Sequence, residues 1–162
     1  MKAELITTKP IDIEIKGITL LSIEEYEAYK EHIKSVNYWW WLRSPGYDSF
    51  LAAIVNSDSS VYNFGYSVDY DRDAVRPALI FSRDSSNLNI GDILIIAGYE
   101  WTVISDNLIH CNDSIGKCPF RKYWKAPDAN IYEASDVKKF VEKWATEKGI
   151  LGKASIRNEQ ND

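Results

Sequence analysis

Val61-Tyr62-Asn63-Phe64-Gly65-Tyr66-Ser67-Val68-Asp69-Tyr70 is the stretch on which the fold turns. Tyr62, Phe64, Tyr66, Val68 and Tyr70 hold the even positions, and Asn63, Ser67 and Asp69 alternate with them. Successive side chains of a strand point to opposite faces, so this period of two predicts a half-buried strand with its even side chains in the core. On one side, Ser57-Asp58-Ser59-Ser60 reads as a turn after a strand over 51–56. On the other, Asp71-Arg72-Asp73 turns the chain into a strand over 75–81. An antiparallel meander is the simplest arrangement, with the strand through Trp41, Leu42 and Arg43 in the same sheet as 75–81.

Working outward, Ile11, Ile13 and Ile15 alternate with Asp12, Glu14 and Lys16, a strand that Gly17 is expected to break. Ser22 and Glu25 form a capping box, opening a helix to about residue 34 with Ile23, Tyr26, Tyr29 and Ile33 on one face. A strand over 37–46 ends at Pro45-Gly46. Three short strands follow at 91–97, 100–104 and 107–111, turning at Ala97-Gly98 and Ser105-Asp106. After a long loop over 112–129, Ser135 caps a second helix with Val137, Phe140, Val141 and Trp144 on its core face, ending near Gly149. These elements make an α+β domain of antiparallel sheets with two helices over residues 1–151. The polar tail 152–162 is expected to fray.

The 162 residues are 45% hydrophobic and 13% aromatic, with six Trp and ten Tyr, more rings than a small core needs. Some of these rings are expected at a surface, where a rigid amphipathic side chain contacts a partner at low entropic cost. A net charge of −5 argues against a basic stripe that tracks nucleic-acid phosphates. No apolar run approaches the length of a membrane span, and the first eight residues lack the apolar region of a signal peptide. The two cysteines read as reduced thiols, which together with these features points to the cytoplasm.

Trp40-Trp41-Leu42-Arg43-Ser44-Pro45-Gly46, Ala52-Ala53-Ile54-Val55 and Val75-Arg76-Pro77-Ala78-Leu79 occur in that order. They resemble an uncharacterised domain family of Gram-positive bacteria and their phages, marked by a W-W-L-R-S-P-G … V-R-P-A-L signature. Leu20-Leu21-Ser22 with Glu25 and Tyr29 matches the segment that precedes the signature there. The resemblance implies a C-type-lectin-like fold, as in formylglycine-generating enzymes. Gly91-Asp92-Ile93, Trp101-Thr102-Val103-Ile104 and 130–138 come after the signature here, whereas the family places their counterparts before it. The halves therefore look circularly permuted, with the connector 82–89 as the join. Ala74 stands where the family usually has Gly.

Arg43 and Arg76 lie inside apolar strands. They either clamp an anion or serve the structure, paired with a carboxylate or stacked on Trp, and the structural role is the favoured reading, as it is for Trp41. The run Trp39-Trp40-Trp41 must point rings to both sheet faces. Cys111 and Cys118, with six residues between them and His110 adjacent, do not match zinc spacing, so no metal is expected. Asp69, Asp71 and Asp73 alternate but lack the residues of an EF-hand. The catalytic cysteine pair of the formylglycine-generating enzymes and the lectin calcium motifs are both missing. No nucleophile elbow or phosphate loop is present, and the chain reads as no enzyme and as needing no cofactor.

Residues 56–73 and the loop 47–50 are dense in Tyr, Ser, Asn and Asp, the composition of an antibody paratope. Tyr47, Asp48, Asp58, Asn63, Tyr70, Asp71, Arg72 and Asp73 are the expected partner-binding residues. The reading is a binding module that acts by protein–protein contact. Because the resemblance extends to genes of phages and mobile elements, one form is an anti-CRISPR-like inhibitor that blocks a Cas or other defence effector. The alternative is a small-molecule or glycan receptor with the ligand held by Arg43, Arg76 and a Trp.

Overall fold

The computed structural model describes residues 11–82 and 88–156. In chain order the elements are β1 (Ile11–Thr19), α1 (Ile23–Tyr29), β2 (Trp40–Pro45), β3 (Leu51–Val55), β4 (Val61–Ser67) and β5 (Ala78–Ser82). There follow β6 (Ile93–Ile96), β7 (Tyr99–Val103), β8 (Leu108–Cys111), α2 (Asp136–Lys148) and β9 (Gly152–Ile156). The fold class is α+β, with two antiparallel sheets ordered β6-β7-β8-β5-β1-β9 and β2-β3-β4.

Local signals place most of these elements. Ser22 caps α1 by accepting from the Glu25 amide, while the Glu25 carboxylate accepts from the Ser22 amide. The helix tightens into a 3₁₀ turn at Lys30–His32, short of residue 34. Ala97 and Gly98, at φ 55° and 81°, give β6 and β7 the two left-handed residues of a type I′ hairpin. Ser135 caps α2, and Gly149 at φ 65° ends it.

Three expectations are corrected. Gly17 does not end β1; a bulge between Ile15 and Gly17 shifts the register by one residue, so Ile13, Ile15 and Ile18 are all buried. The tail does not fray at residue 152, because β9 pairs with β1 from Ile156↔Ile11 to Gly152↔Ile15. The strand of Trp41, Leu42 and Arg43 does not share a sheet with β5. The segment between them crosses from one sheet to the other. Ala74 exchanges backbone hydrogen bonds with Trp39 and Trp41, Val75 does so with Ile115 and Gly116, and Pro77 has no N–H to extend the ladder. Most of the connector 82–89 falls outside the described residues.

The central strand of the small sheet, β3, is covered on both faces. Ala52 and Ile54 of β3 join Trp41, Leu79, Trp101, Phe120 and the α2 residues Val137 and Val141 in one core. Ala53 and Val55 face the other way, against Trp40, Leu42, Tyr26, Ile104 and Leu108. Both cores draw on residues from either side of the 83–87 connector. Trp40 and Trp41 therefore serve opposite faces, as their alternation requires, and Trp41 donates its indole N–H to the Cys118 carbonyl at 2.9 Å.

Candidate functional site

The two arginines are engaged by the protein's own groups. Arg43 Nη1 donates to the Leu20 carbonyl at 2.7 Å and to Glu25 Oε1 at 2.5 Å, tying β2 to the start of α1. Burial alone would raise the Glu25 pKa, but hydrogen bonds from Arg43 and Ser22 and the Arg43 charge hold it below the usual carboxylate value. Arg76 is fully buried. It lies 4.6 Å from the centroid of the Trp40 ring and donates to the carbonyls of Cys111, Lys34 and Asn112. The His110 ring packs against Trp40 itself, with centroids 5.2 Å apart, and burial followed by the Arg76 charge depresses its pKa. A shallow groove of about 540 Å³ runs past Tyr38 and past Lys34 and Asn112, whose carbonyls accept from Arg76. Tyr38 donates to Asp113 Oδ1 at 2.5 Å, and burial and that carboxylate push the phenol up to about 12.

The exposed rings gather elsewhere, around edge strand β4. Tyr47 is 76% exposed and stacks on Phe64, with centroids 5.3 Å apart and planes 11° from parallel. Tyr62 tilts against the same Phe64 ring at 6.1 Å. Phe50 and Trp124 meet edge to face at 6.3 Å, both partly in solvent, and Tyr123 beside them is exposed. Trp39 packs on Tyr66, and Tyr66 on Tyr70, where β4 returns to the core.

Placing Tyr62 and Phe64 in the core is thus corrected: they are 41% and 48% exposed. The alternation itself is sound, since Tyr62 sits opposite Ile54 and Tyr66 opposite Ala52, on the face that carries the larger core. That core reaches Tyr66 and stops short of Tyr62. Phe64 lies within the two-residue bulge between these pairs, formed around Gly65 at φ 98°. The bulge is clasped by the turn after β2: the Tyr47 amide donates to the Phe64 carbonyl at 2.7 Å, and Gly46 donates to the Leu51 carbonyl at 2.8 Å. A Cβ at Gly46 would collide with the Phe64 carbonyl oxygen and with Leu51, so the close approach requires glycine there.

Of the eight sequence-selected residues, Tyr47, Asp48, Asp58, Asn63, Asp71 and Arg72 are exposed, and Tyr70 is half-buried. Asp73 is not at the surface: it is 1% exposed, its Oδ2 has no partner among the described residues, and burial raises its pKa to about 7. Asp58 is occupied by its own turn, accepting from the Ser60 amide and hydroxyl, which lower its pKa. Asp58 precedes β4 and Asp71 follows it, so the seven-residue strand keeps these acids about 20 Å apart. Asp48 lies on a loop tied to the C-terminal half of β4, where Val68 donates to the Phe50 carbonyl. Among the described residues no three His, Cys, Asp or Glu side chains converge as metal ligands would.

Tyr123 and Trp124 lie outside the stretches expected from sequence to form the surface of this region, while Phe50 and Asp69 lie within them without being among the eight chosen residues. Tyr123-Trp124 stands among Arg121, Lys122 and Lys125 in a long loop, a polar setting that signals exposure.

Comparison with known proteins gives one match. A domain of unknown function, DUF6273, matches residues 16–82, a span that holds both the Trp40–Gly46 and the Val75–Leu79 strings and is under half of the chain. No curated protein and no solved structure matches.

Proposed function

We propose that this chain is a non-catalytic binding module whose partner is a protein, met by the aromatic face around β4. The observation that carries the reading is the pre-stacked pair of Tyr47 from the turn after β2 and Phe64 of edge strand β4, flanked by Tyr62, with all three rings exposed among the described residues. Rings held by one another and by a clasped bulge lose little conformational freedom on binding, which is what an interface anchor requires. Asp48, Asn63, Asp69, Asp71 and Arg72 form a polar surround. Its acids favour a basic partner surface, such as the nucleic-acid groove of a bacterial defence effector, and the anti-CRISPR-like role is the form proposed. The cytoplasm is the proposed compartment, in keeping with Cys111 and Cys118 being free thiols and with no described helix being long and apolar enough to cross a membrane.

The test is affinity purification of the tagged chain from a host lysate, followed by titration of the recovered partner against variants. Tyr47→Ser with Phe64→Ser should weaken binding at least about a hundredfold, the loss expected of two anchor residues, with little change in stability. A partner that binds this double variant as tightly as the wild type rules the face out.

A further inference from the structure

A slot of about 340 Å³ is lined by Phe50, Trp124, Ser67 and Asp69, where the Phe50 and Trp124 rings meet edge to face. Its walls are fixed from behind. Asn130, itself buried, donates through Nδ2 to the carbonyls of Asp48 and Leu51 at 3.0 and 3.2 Å, holding the loop that carries Phe50. The Trp124 loop is held by the Lys122 amide donating to Asp136 Oδ2 at 2.7 Å and by the Arg121–Asp128 ion pair at 3.3 Å. Inside the slot, no hydrogen bond or ion pair from the described residues engages the Asp69 carboxylate or the Ser67 hydroxyl. Lys125 does not line the slot, yet it holds its ammonium 5.4 Å from the centroid of the Trp124 ring, so that ring already serves as a cation platform.

From these features we propose that the slot receives an arginine side chain of the protein partner. The inference rests on the reading that a protein binds this face, and it names one chemical group that the partner must present. A carboxylate in a slot walled by an exposed indole favours a cation over a neutral group. A planar guanidinium can lie along the Trp124 ring while its N–H groups reach Asp69 and Ser67. A lysine ammonium makes the charge contact but cannot stack and donate in two directions at once. The slot is open at the surface, so an extended arginine reaches it from a partner chain that lies across β4.

The experiment follows the Trp124 indole N–H of the full chain by NMR, with Trp124→Phe to assign the signal. Three short capped peptides are titrated, identical but for a central Arg, Lys or Gln. The Arg peptide should shift the signal saturably, the Lys peptide more weakly, and the Gln peptide not at all. Asp69→Asn should weaken the Arg response about tenfold or more, the ratio implied by losing one charge-assisted hydrogen bond. An equal response to Gln, an Arg response untouched by Asp69→Asn, or no response to Arg overturns the assignment. Tyr47→Ser with Phe64→Ser should leave the Arg titration unchanged. Failure of the slot with partner binding still dependent on Phe64 therefore removes the arginine alone, whereas partner binding indifferent to Tyr47 and Phe64 removes the wider face.

Discussion

Replacing Asp73 by Asn is expected to flatten the dependence of stability on pH. The carboxyl is buried beside Ala74 in the crossing segment, and burial alone raises its pKa from 3.8 to about 7. Below pH 4 the group is protonated in both folded and unfolded chains and has no effect. As the pH rises further the unfolded chain ionises and the folded chain does not, so stability falls by about 1.4 kcal/mol per pH unit. Above the folded pKa both states are ionised and the loss levels off. A displacement of about three units thus gives a total loss of about 4 kcal/mol, most of it between pH 4 and 7. Urea denaturation of the wild type and of Asp73→Asn at closely spaced pH values measures this directly. The difference between the two curves should grow in favour of the variant by about 3 kcal/mol from pH 5 to 8. Asp71→Asn, at an exposed neighbour, should leave the wild-type profile in place. A difference curve that is flat for Asp73→Asn, or equally steep for Asp71→Asn, refutes the assignment of a buried ionisation to Asp73.

Arg76→Lys should destabilise by about 2 kcal/mol or more in the same assay, because an ammonium cannot stack on Trp40 and reach the carbonyls of Lys34, Cys111 and Asn112 together. Gly46→Ala should cost roughly 1–3 kcal/mol, the penalty of forcing a methyl group against the Phe64 carbonyl and Leu51; an unchanged urea midpoint would show that the clasp is loose. Glu25→Gln should lower stability near neutrality and lose that effect at low pH. The wild-type contribution is present above the unfolded pKa of 4.5 and disappears as pH falls through the depressed folded value, which acid titration of both proteins would reveal.

Residues 91–111 and 135–149 were legible from sequence because their signals are local. Ala97-Gly98 forms a hairpin turn, Ser135 caps a helix and Gly149 ends it, and each needs only its immediate neighbours to act. Asp73 was not legible. Asp71-Arg72-Asp73 has the composition of a solvated turn, and nothing within it says that the third residue enters the crossing between two sheets. Residues 152–156 are equally silent: a short segment becomes a strand because β1, over a hundred residues earlier, offers it an edge.

Local pattern was enough for the two helices, the β2-β3-β4 and β6-β7-β8 hairpins, the α+β class and the face of the small sheet to which Tyr62 and Tyr66 belong, but not for the expected hairpin from β4 into 75–81, which crosses to the other sheet instead. It also selected the loop that carries Tyr47 and Phe50 as a region rich in surface rings. What lies over that face depends on packing between elements distant in the chain. A period of two records which side chains point the same way, and that is a property of the strand alone. Whether the shared side is buried depends on how far another layer extends across it. Here the core formed with α2 and the larger sheet reaches Tyr66 and ends before Tyr62. The same alternation therefore supplies a core at one end of β4 and exposed, stacked rings at the other.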